Sequence, residues 1–381
     1  MTESRDAYAG LLGTLAEVGE RFAGDEWAIT DPTDVAETLA AVLAHLGTAI
    51  ETQMADDPAH PVFREIVTPW RKSLGDNADA RYHDARVHPA GRYEVRGNTG
   101  GAVYVSFTVE AGPPDGSFPT GTVGVLNDTD FEVGDDGSFA FTVGTADADG
   151  DPADLPLAPD ASRLTVRHYW EQDTPPAAPP TPDLALSIRL THGEVPEPPR
   201  APTDESVAAS IRRLGTYVRS RTLDTIMKPG EGDPPAFVSR IPHEFPAPVR
   251  PGAHALAAAD AAYSMAPYLL GPDEALVITA SWPECRCANV NLWNRQMQTF
   301  DYLRHHVSLN RASTAKVGDD GTFTVVIAHE DPGVANWLDT EGRPFGLVFW
   351  RYLLPEGPIA TPTAEVRPLA DLRGEPDAAT A

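Results

Sequence analysis

The segment from His329 to Thr340 contains residue types suited to proton transfer. It places an imidazole, His329, and the carboxylates of Asp331 and Asp339 near the end of a predicted strand. General acid–base chemistry requires such groups to hold their protons at different pH, which different environments provide. The same composition also suits a loop, because Pro332-Gly333 fits the centre of a type II turn and aspartates bind nearby backbone amides. We therefore predict His329, Asp331 and Asp339 as catalytic candidates, with loop structure as the alternative.

A second polar group follows from the alternation of the predicted strand over residues 285–293. Ala288, Val290 and Leu292 point to one face, and Asn289, Asn291 and Trp293 point to the other. Two amides beside an indole suit a hydroxylated, carbohydrate-like ligand, because amides both donate and accept hydrogen bonds and the ring stacks. The alternative is that the amides satisfy nearby backbone and the indole packs under a helix. The predicted ligand-binding residues are Asn289, Asn291, Trp293 and Asn294.

Metal and cofactor chemistry find little support in the spacing of residues. His305 and His306 are adjacent and cannot share a face of a strand, and no His-Glu-x-x-His spacing is present. No glycine-rich phosphate cradle precedes a helix. Cys285 and Cys287 are two residues apart, too close for a relaxed disulfide staple. We predict no metal and no cofactor, and any reaction would be hydrolysis or group transfer assisted by carboxylates.

Two distant parts of the chain resemble each other. Val133–Phe139 reads VGDDGSF and Val317–Phe323 reads VGDDGTF, and at the same offset of 184 residues Arg167 coincides with Arg351. Asp-Asp-Gly between apolar runs predicts a hairpin, since glycine accepts positive φ. Unrelated hairpins with the same turn chemistry are the alternative to an internal repeat. An arginine amid apolar residues must be paired, so we expect two structural arginines, with Asp339 or another acid as the partner of Arg351. Two anion-binding sites are the alternative.

The remaining pattern predicts helices around a β body. Apolar residues at three- and four-residue spacing indicate helices over 8–22, 32–50 and 204–218, and helices are also predicted over 61–74 and 255–270. Period-two alternation indicates strands over 103–109 and 184–190. The fold class is mainly β with α additions, a jelly-roll-like β-sandwich built from two similar β units. Its predicted segments are a helical N-terminal segment (1–75), a first β unit (76–195), a Pro-rich loop and helical connector (196–273), a second β unit (274–372) and a flexible tail (373–381).

Composition limits the partners. The 381 residues include 56 acidic and 29 basic side chains, a formal net charge of −27, which repels nucleic-acid phosphates and anionic lipids. No run approaches 18 consecutive apolar residues, and the N-terminus lacks the apolar core of a signal peptide. We predict a cytoplasmic protein that binds neither nucleic acid nor membrane, and the sequence leaves a homo-oligomer open.

Several short motifs point to a known family. They are the run from Ser281 to Asn294, Asp301-Tyr302, Asn310, Asp320-Gly321, Asp331-Pro332-Gly333, the run from Asn336 to Thr340, and Gly75 to Asp79 with Tyr82. By these motifs residues 70–372 resemble the bacterial domain of unknown function 1214 family. The chain departs from the family pattern at Ala78, where proline is usual, and at Cys287, where an aromatic residue is usual. The resemblance implies a β-sandwich or jelly-roll body with helical additions, and it assigns no catalytic residues.

The sequence supports two functional hypotheses. In the first, the N-terminal helices and the Pro-rich loop cover a cleft that binds a small polar molecule, and His329, Asp331 and Asp339 supply any proton transfer. In the second, the polar face is a docking surface of a non-catalytic binding or interaction scaffold. Carboxylates that converge on a concave pocket beside Trp293 favour the first hypothesis, and a flat uncovered apolar patch favours the second.

Overall fold

The structure is a computed structural model that describes residues 2–54, 56–147, 149–252, 256–258 and 260–373. Of the predicted tail, only Arg373 is described, and residues 374–381 lie outside the described residues. The first β unit contains β1 to β9 and the second contains β10 to β17, with helices before, between and after them.

Two helices, α2 and α3, begin at residues whose side chains cap them. Asp31 accepts a hydrogen bond from the Thr33 amide with Pro32 in the first turn, and Thr203 and Ser206 cap each other reciprocally. Within the described residues, no helix combines the length and the hydropathy needed to cross a bilayer. The helices are α1 (Glu3–Arg21), a 3₁₀ turn (Asp25–Trp27), α2 (Pro32–Gln53), α3 (Asp204–Ser220) and α4 (Leu369–Leu372).

The first β unit is a sandwich of two sheets. One sheet has the order β1-β2-β8-β4-β5 and the other has the order β7-β6-β3-β9. The strands are β1 (Arg64–Glu65), β2 (Ala80–Arg86), β3 (Arg92–Asn98), β4 (Tyr104–Ala111), β5 (Gly121–Asn127), β6 (Ser138–Gly144), β7 (Leu155–Pro156), β8 (Ala161–Tyr169) and β9 (Ser187–His192).

The second β unit has the same plan. Its sheets have the orders β10-β16-β12-β13 and β15-β14-β11-β17, which match the first unit strand for strand apart from the short β1. The strands are β10 (Ala261–Leu269), β11 (Glu274–Ser281), β12 (Cys287–Trp293), β13 (Ser308–Asn310), β14 (Thr322–Ala328), β15 (Trp337–Asp339), β16 (Phe345–Leu353) and β17 (Thr363–Pro368). The prediction of a mainly β fold with two similar β units is confirmed.

The turns that lead into β6 and β14 are alike in geometry. Gly137 and Gly321 adopt φ of 80° and 81°. The Gly134 amide donates to the Ser138 carbonyl over 2.8 Å, and the Gly318 amide donates to the Thr322 carbonyl over the same distance. Since L-residues rarely adopt this conformation, glycine is the residue that the turn requires.

Each sandwich buries its own core, and a third cluster joins the two sandwiches. Phe107 and Val166 lie in the first core, and Val290 and Trp350 lie in the second. The joining cluster lies between the sheet that contains β8 and the sheet that contains β16. It includes Tyr82, Tyr104, Tyr169, Tyr263, Cys287, Trp293 and Phe349.

Two helix predictions were wrong. Residues 61–74 form β1 and turns, and the described part of 255–270 contains the strand β10. Alanine-rich sequence favours a helix locally, but β10 pairs with β16 along its whole length, and this tertiary pairing overrides propensity. Pro267 fits the strand because β10 lies at the edge of its sheet.

The helices form a layer that contacts both units. On α2, Asp34 pairs with Arg295 and Glu37 pairs with Arg343, both in the second unit. At the other end of α2, the Gln53 carbonyl accepts hydrogen bonds from Arg213 of α3. The Thr48 hydroxyl lies 3.4 Å from the Ile66 carbonyl beside the first unit.

Candidate functional site between the two sandwiches

A matching row of polar residues crosses each of the two facing sheets. In the first unit, strand register aligns Tyr82, Arg167, Ser106 and Asn127 across β2, β8, β4 and β5. In the second unit, register aligns Tyr263, Arg351, Asn289 and Asn310 across β10, β16, β12 and β13. The arginines, tyrosines and terminal asparagines therefore occupy equivalent positions, and both arginines are at most 5% exposed.

The chain that leads into each unit binds the arginine of the other unit. Before β2, the Gly75 carbonyl accepts a hydrogen bond of 3.1 Å from Arg351 Nη2. Before β10, the Leu256 carbonyl accepts a hydrogen bond of 2.9 Å from Arg167 Nη2. Both acceptor residues adopt left-handed backbone, with φ of 78° at Gly75 and 60° at Leu256. The two units therefore hold each other by a reciprocal contact.

An aspartate stands directly before β2 and another directly before β10, and each crosses to the other unit. Asp79 accepts hydrogen bonds from Asn289 Nδ2 over 2.7 Å and from Asn310 Nδ2 over 3.1 Å. Asp260 accepts a hydrogen bond from the Tyr104 hydroxyl. Burial raises the pKa of Asp79 to about 6 although its amide donors oppose the shift, and burial raises the pKa of Asp260 to about 6.

The two arginines differ in their remaining partners. Arg167 donates to the Thr108 hydroxyl over 2.7 Å and lies 3.8 Å from a carboxylate oxygen of Glu110. Thr108 and Glu110 lie two and four residues after Ser106 on β4. The corresponding positions after Asn289 on β12 are Asn291 and Trp293. The second unit thus has an indole where the first unit has the carboxylate that neutralises its arginine.

Arg351 is consequently a buried cation with incomplete pairing. Its Nε and Nη1 have no hydrogen-bond acceptor at good geometry among the described residues. Its guanidinium carbon lies 5.0 Å from the ring centroid of Phe349 and 5.8 Å from that of Tyr263. Aromatic faces attract a cation, but they do not accept both free N–H groups as an ion pair would.

Further unpaired polar atoms belong to the residues around Arg351. Within the described part of the chain, the atoms without a partner include Asn77 Nδ2, Asn289 Oδ1, Asn291 Nδ2 and the Tyr82 hydroxyl. Asn77 Oδ1 accepts a 2.7 Å bond from Asn289, which links these groups directly. Burial raises the pKa of Tyr82, opposed by the positive charge of Arg351, so the Tyr82 hydroxyl stays neutral.

Such unpaired groups are costly to bury. Each costs about 1–3 kcal/mol when no partner replaces water, and a charged group costs more. Native proteins contain few of them, so a cluster indicates water or a ligand between the groups. Donors predominate here: two guanidinium N–H groups, two amide nitrogens and a hydroxyl that also donates. This donor set suits a small molecule with an anionic group and hydroxyls.

Three of the four predicted ligand-binding residues lie in this cluster. Asn289, Asn291 and Trp293 are at most 2% exposed. Asn291 Oδ1 accepts a bond of 3.1 Å from the Ala78 amide, and Trp293 Nε1 donates over 3.0 Å to the Asp76 carbonyl. Trp293 also stacks on Phe349 at 4.1 Å between ring centroids. These three side chains therefore bind the segment Gly75–Asp79. Asn289 Oδ1 and Asn291 Nδ2 still have no hydrogen-bond partner among the described residues.

Asn294 lies apart from the other three. Its Oδ1 accepts bonds from the Gln296 amide over 3.0 Å and from the Gln298 amide over 3.1 Å. These bonds shape the turn that follows β12, an ordinary role for asparagine.

The predicted catalytic residues take part in local loop contacts. Asp339 Oδ2 lies 2.8 Å from His305 Nδ1, and His329 Nδ1 lies 2.6 Å from the Thr340 hydroxyl. Asp331 accepts a 2.7 Å bond from the Gly333 amide. The histidine brought to Asp339 is therefore His305, and these contacts do not link His329, Asp331 and Asp339 to one another. The expected pairing of Arg351 with Asp339 or another acid was wrong: Asp339 binds His305 and its own loop, and no carboxylate of the described residues lies within ion-pair distance of Arg351.

Cys287 belongs to the cluster that joins the two sandwiches. Cys287 is 1% exposed, and burial raises the pKa of its thiol well above the ordinary value, so it stays protonated. Among the described residues, no group of three or more His, Cys, Asp or Glu side chains is placed to hold a metal ion.

Sequence reasoning missed the residues that complete the cluster. Tyr82, Asp79 and Gly75 recur as Tyr263, Asp260 and Leu256 at a constant offset of 181 residues. The offset of Arg167 to Arg351 is 184, so a comparison that allowed three residues of drift would have found the rows. The informative signal was the mismatch of Glu110 with Trp293 within an otherwise matched pair of strands.

Comparisons with known proteins agree with this plan. Residues 290–356 match the family DUF1214, described as a protein of unknown function. The matched segment lies within the second β unit. This region begins within β12 and ends after β16, so it includes Asn291, Trp293 and Arg351.

One solved structure resembles this chain over nearly its whole length. An uncharacterised protein from Burkholderia cenocepacia is 25% identical, with a TM-score of 0.79 over 96% of this chain and 97% of that chain. The VPA0106 protein from Vibrio parahaemolyticus is 12% identical, with a TM-score of 0.48 over 93% of this chain and 99% of that chain. No curated protein matches the chain. The first similarity extends the fold over nearly the whole of both chains.

Proposed function

We propose that the protein binds a small hydroxylated molecule with an anionic group between its two sandwiches. Arg351 is the charged anchor, and Asn289, Asn291 and the Tyr82 hydroxyl bind the remaining polar atoms. Trp293 forms an apolar wall. In this proposal the bound molecule is enclosed, so release requires the segment Gly75–Asp79 to move from the sheet.

One observation carries the proposal. Glu110 lies 3.8 Å from Arg167, whereas Trp293 occupies the equivalent position on the strand beside Arg351. A carboxylate supplied by a ligand would compensate the charge of Arg351, as Glu110 compensates the charge of Arg167. Charge-assisted hydrogen bonds to a guanidinium are about twice as strong as neutral ones, so an anionic group gains most at this position.

Three further predictions from the sequence are kept as proposals: proton transfer, an internal repeat and a cytoplasmic location. Proton transfer by His329, Asp331 and Asp339 would require a substrate near the loop after β14, and their hydrogen bonds serve loop structure. The matched strand orders, turns and polar rows support an internal repeat. We also retain a cytoplasmic location as a prediction from composition.

Thermal unfolding with short hydroxycarboxylates tests the proposal. Glycolate and lactate should raise the Tm above that in equal concentrations of glycerol or chloride, after incubation long enough for a buried site to fill. A ligand at about 100 times its Kd stabilises by about 2.7 kcal/mol. The Arg351→Met variant should lose this shift, and Arg295→Met, which removes a different arginine, should keep it. Equal shifts in both variants, or none in the unsubstituted protein, would reject the proposal.

An interaction scaffold is the second candidate function, and one surface favours it. Leu39, Leu43, Ile50 and Met54 lie along one side of α2, each more than 40% exposed. Exposed apolar stripes of this kind often mark a contact with another protein. Light scattering should then give a mass above that of the monomer, reduced to the monomer mass by Leu43→Glu. A monomer at all concentrations would exclude self-association.

A further inference from the structure

We propose a second anion site, separate from Arg351, in which the pocket between the helical layer and the first sandwich binds a phosphate group. The pocket lies at the ends of α2 and α3, where they meet β2, β8 and the loop after β4. Its polar lining includes Gln53, Arg86, Ser117, Ser162, Arg163 and Arg221.

Positive charge is concentrated at this pocket although the whole chain carries −27. Arg86 and Arg163 each lie 3.4 Å from the buried carboxylate of Asp56. Arg163 also binds both oxygens of Asp84, over 2.6 and 3.3 Å. Two carboxylates therefore already accompany these two arginines.

Arg221, which lines the pocket, and Arg213, which lies near Arg163, have no ion-pair partner among the described residues. Arg221 donates to the Gly116 carbonyl over 3.1 Å, and Arg213 donates to the Gln53 carbonyl over 2.8 Å. Among the described residues, neither lies within ion-pair distance of a carboxylate. Burial lowers the pKa of Arg213 and Arg221, opposed in part by Asp56 at Arg213 and by Asp84 at Arg221, and the Arg221 guanidinium stacks 3.5 Å from the centroid of the Tyr217 ring. Four guanidinium groups thus face two carboxylates, and a bound anion would offset the excess.

The shape of the pocket sets the size of the anion. The enclosed volume is about 20 Å³, room for about one water molecule, and the space including the open mouth is about 320 Å³. One oxygen of a phosphate group can enter, while the remaining oxygens and any ester lie at the mouth. Gly116 fixes the loop that forms one wall, because a Cβ at this position would lie 2.3 Å from the Arg213 carbonyl oxygen. Arginine is well matched to the oxygens of phosphate.

Titration at constant ionic strength tests this site. Inorganic phosphate and glycerol 3-phosphate should each raise the Tm more than chloride or glycerol, and isothermal titration should give a Kd for the better ligand. A tighter glycerol 3-phosphate identifies a phosphomonoester as the source, and a tighter inorganic phosphate identifies the free anion. Phosphate that stabilises no more than chloride would overturn the proposal.

Two variants and a control locate the effect. Arg86→Gln should weaken phosphate binding about tenfold, as expected for loss of one charged hydrogen bond. Gln53→Glu adds a carboxylate among the arginines, so it should keep the protein folded and abolish the phosphate shift. Arg96→Gln removes the same charge from an exposed arginine paired with Glu94 and should leave the Kd unchanged. If the phosphate Kd changes equally in Arg86→Gln and Arg96→Gln, or stays unchanged in Gln53→Glu, the effect comes from net charge and the proposed phosphate site is rejected.

The Arg351→Met variant should retain phosphate binding, which separates this site from the one proposed above.

Discussion

The polar rows of the two units lie on the same arrangement of strands, but their arginines have different partners. In the first unit Arg167 meets Thr108, the Leu256 carbonyl and Glu110, so its charge is compensated within the chain. In the second unit Arg351 meets the Gly75 carbonyl and aromatic faces. The comparison shows that both arginines cross to the opposite unit, but only Arg351 keeps two nitrogens without an acceptor among the described residues.

The difference comes from a few positions. Glu110 gives way to Trp293 on one strand, and Thr165 gives way to Phe349 on the neighbouring strand. Both changes replace polar groups with aromatic rings. The ring pair stacks at 4.1 Å, and Phe349 also lies under the Arg351 guanidinium, so an ionic contact made there would lie in apolar surroundings that strengthen it. The first row is not wholly satisfied either, because Ser106 Oγ has no partner among the described residues.

The largest expected effect is the unequal cost of removing the two arginines. Arg167→Met leaves Glu110, which is 0% exposed, as an uncompensated buried carboxylate, and should cost about 3–5 kcal/mol of unfolding free energy. Arg351→Met strands no carboxylate within ion-pair distance among the described residues, and methionine packs against Phe349, so the cost should be about 1 kcal/mol. Urea unfolding of both variants measures the difference.

A double variant tests the reason for that inequality. Adding Glu110→Gln to Arg167→Met should recover part of the lost stability, because it removes the stranded charge. Equal costs for the two single variants, or no recovery in the double variant, would mean that Glu110 does not distinguish the two rows.

The next effect is a pH dependence set by the crossing aspartates. Burial raises the pKa of Asp260 to about 6 in the folded protein, compared with 3.8 for the unperturbed side chain. The folded state therefore binds this proton more tightly, and the stability that it contributes is present below pH 4 and lost as the pH rises through 6. The loss amounts to roughly 3 kcal/mol over this window.

Asp260→Asn isolates this contribution from the other acids. The amide oxygen can still accept from Tyr104, and the amide nitrogen replaces Oδ1, which has no partner among the described residues. Between pH 4 and 6 the unfolding free energy of the variant should change less steeply than that of the unsubstituted protein. Parallel curves from chemical denaturation would show that Asp260 titrates normally.

At pH 7 the substitution Asp79→Asn should lower the unfolding free energy, unlike the equivalent substitution Asp260→Asn. Asp79 accepts from amide nitrogens with both of its oxygens. In Asp79→Asn one of these donors faces another donor, so we expect a loss of about 2 kcal/mol at pH 7. At the same pH Asp260→Asn should be neutral or stabilising, which makes the pair a matched comparison by urea unfolding. If Asp79→Asn left the unfolding free energy unchanged, the segment Gly75–Asp79 would not be held by this carboxylate.

The sequence predicted much of this architecture because its signals were local. Capping at Asp31 and Thr203, the glycine turns and the alternation of β12 each act over a few residues. The β10 strand was missed because its alanines favour a helix and its pairing with β16 lies about 80 residues away. The cluster at Arg351 was found only in part, because the contact of Gly75–Asp79 with the opposite unit depends on how the sandwiches pack.

The smallest expected effect concerns the predicted catalytic loop. Asp339 pairs with His305, whose side chain is 41% exposed, and surface pairs of this kind contribute about 0–1 kcal/mol. Asp339→Asn keeps an oxygen to accept from the Glu341 amide, so it should cost about 0.5 kcal/mol and leave the glycolate-dependent Tm shift unchanged. If the shift disappears while the fold persists, the carboxylate acts on the ligand, and the binding site must extend from Arg351 to the loop after β14. An unchanged shift would confine binding to the face between the sandwiches, where the two arginine rows differ.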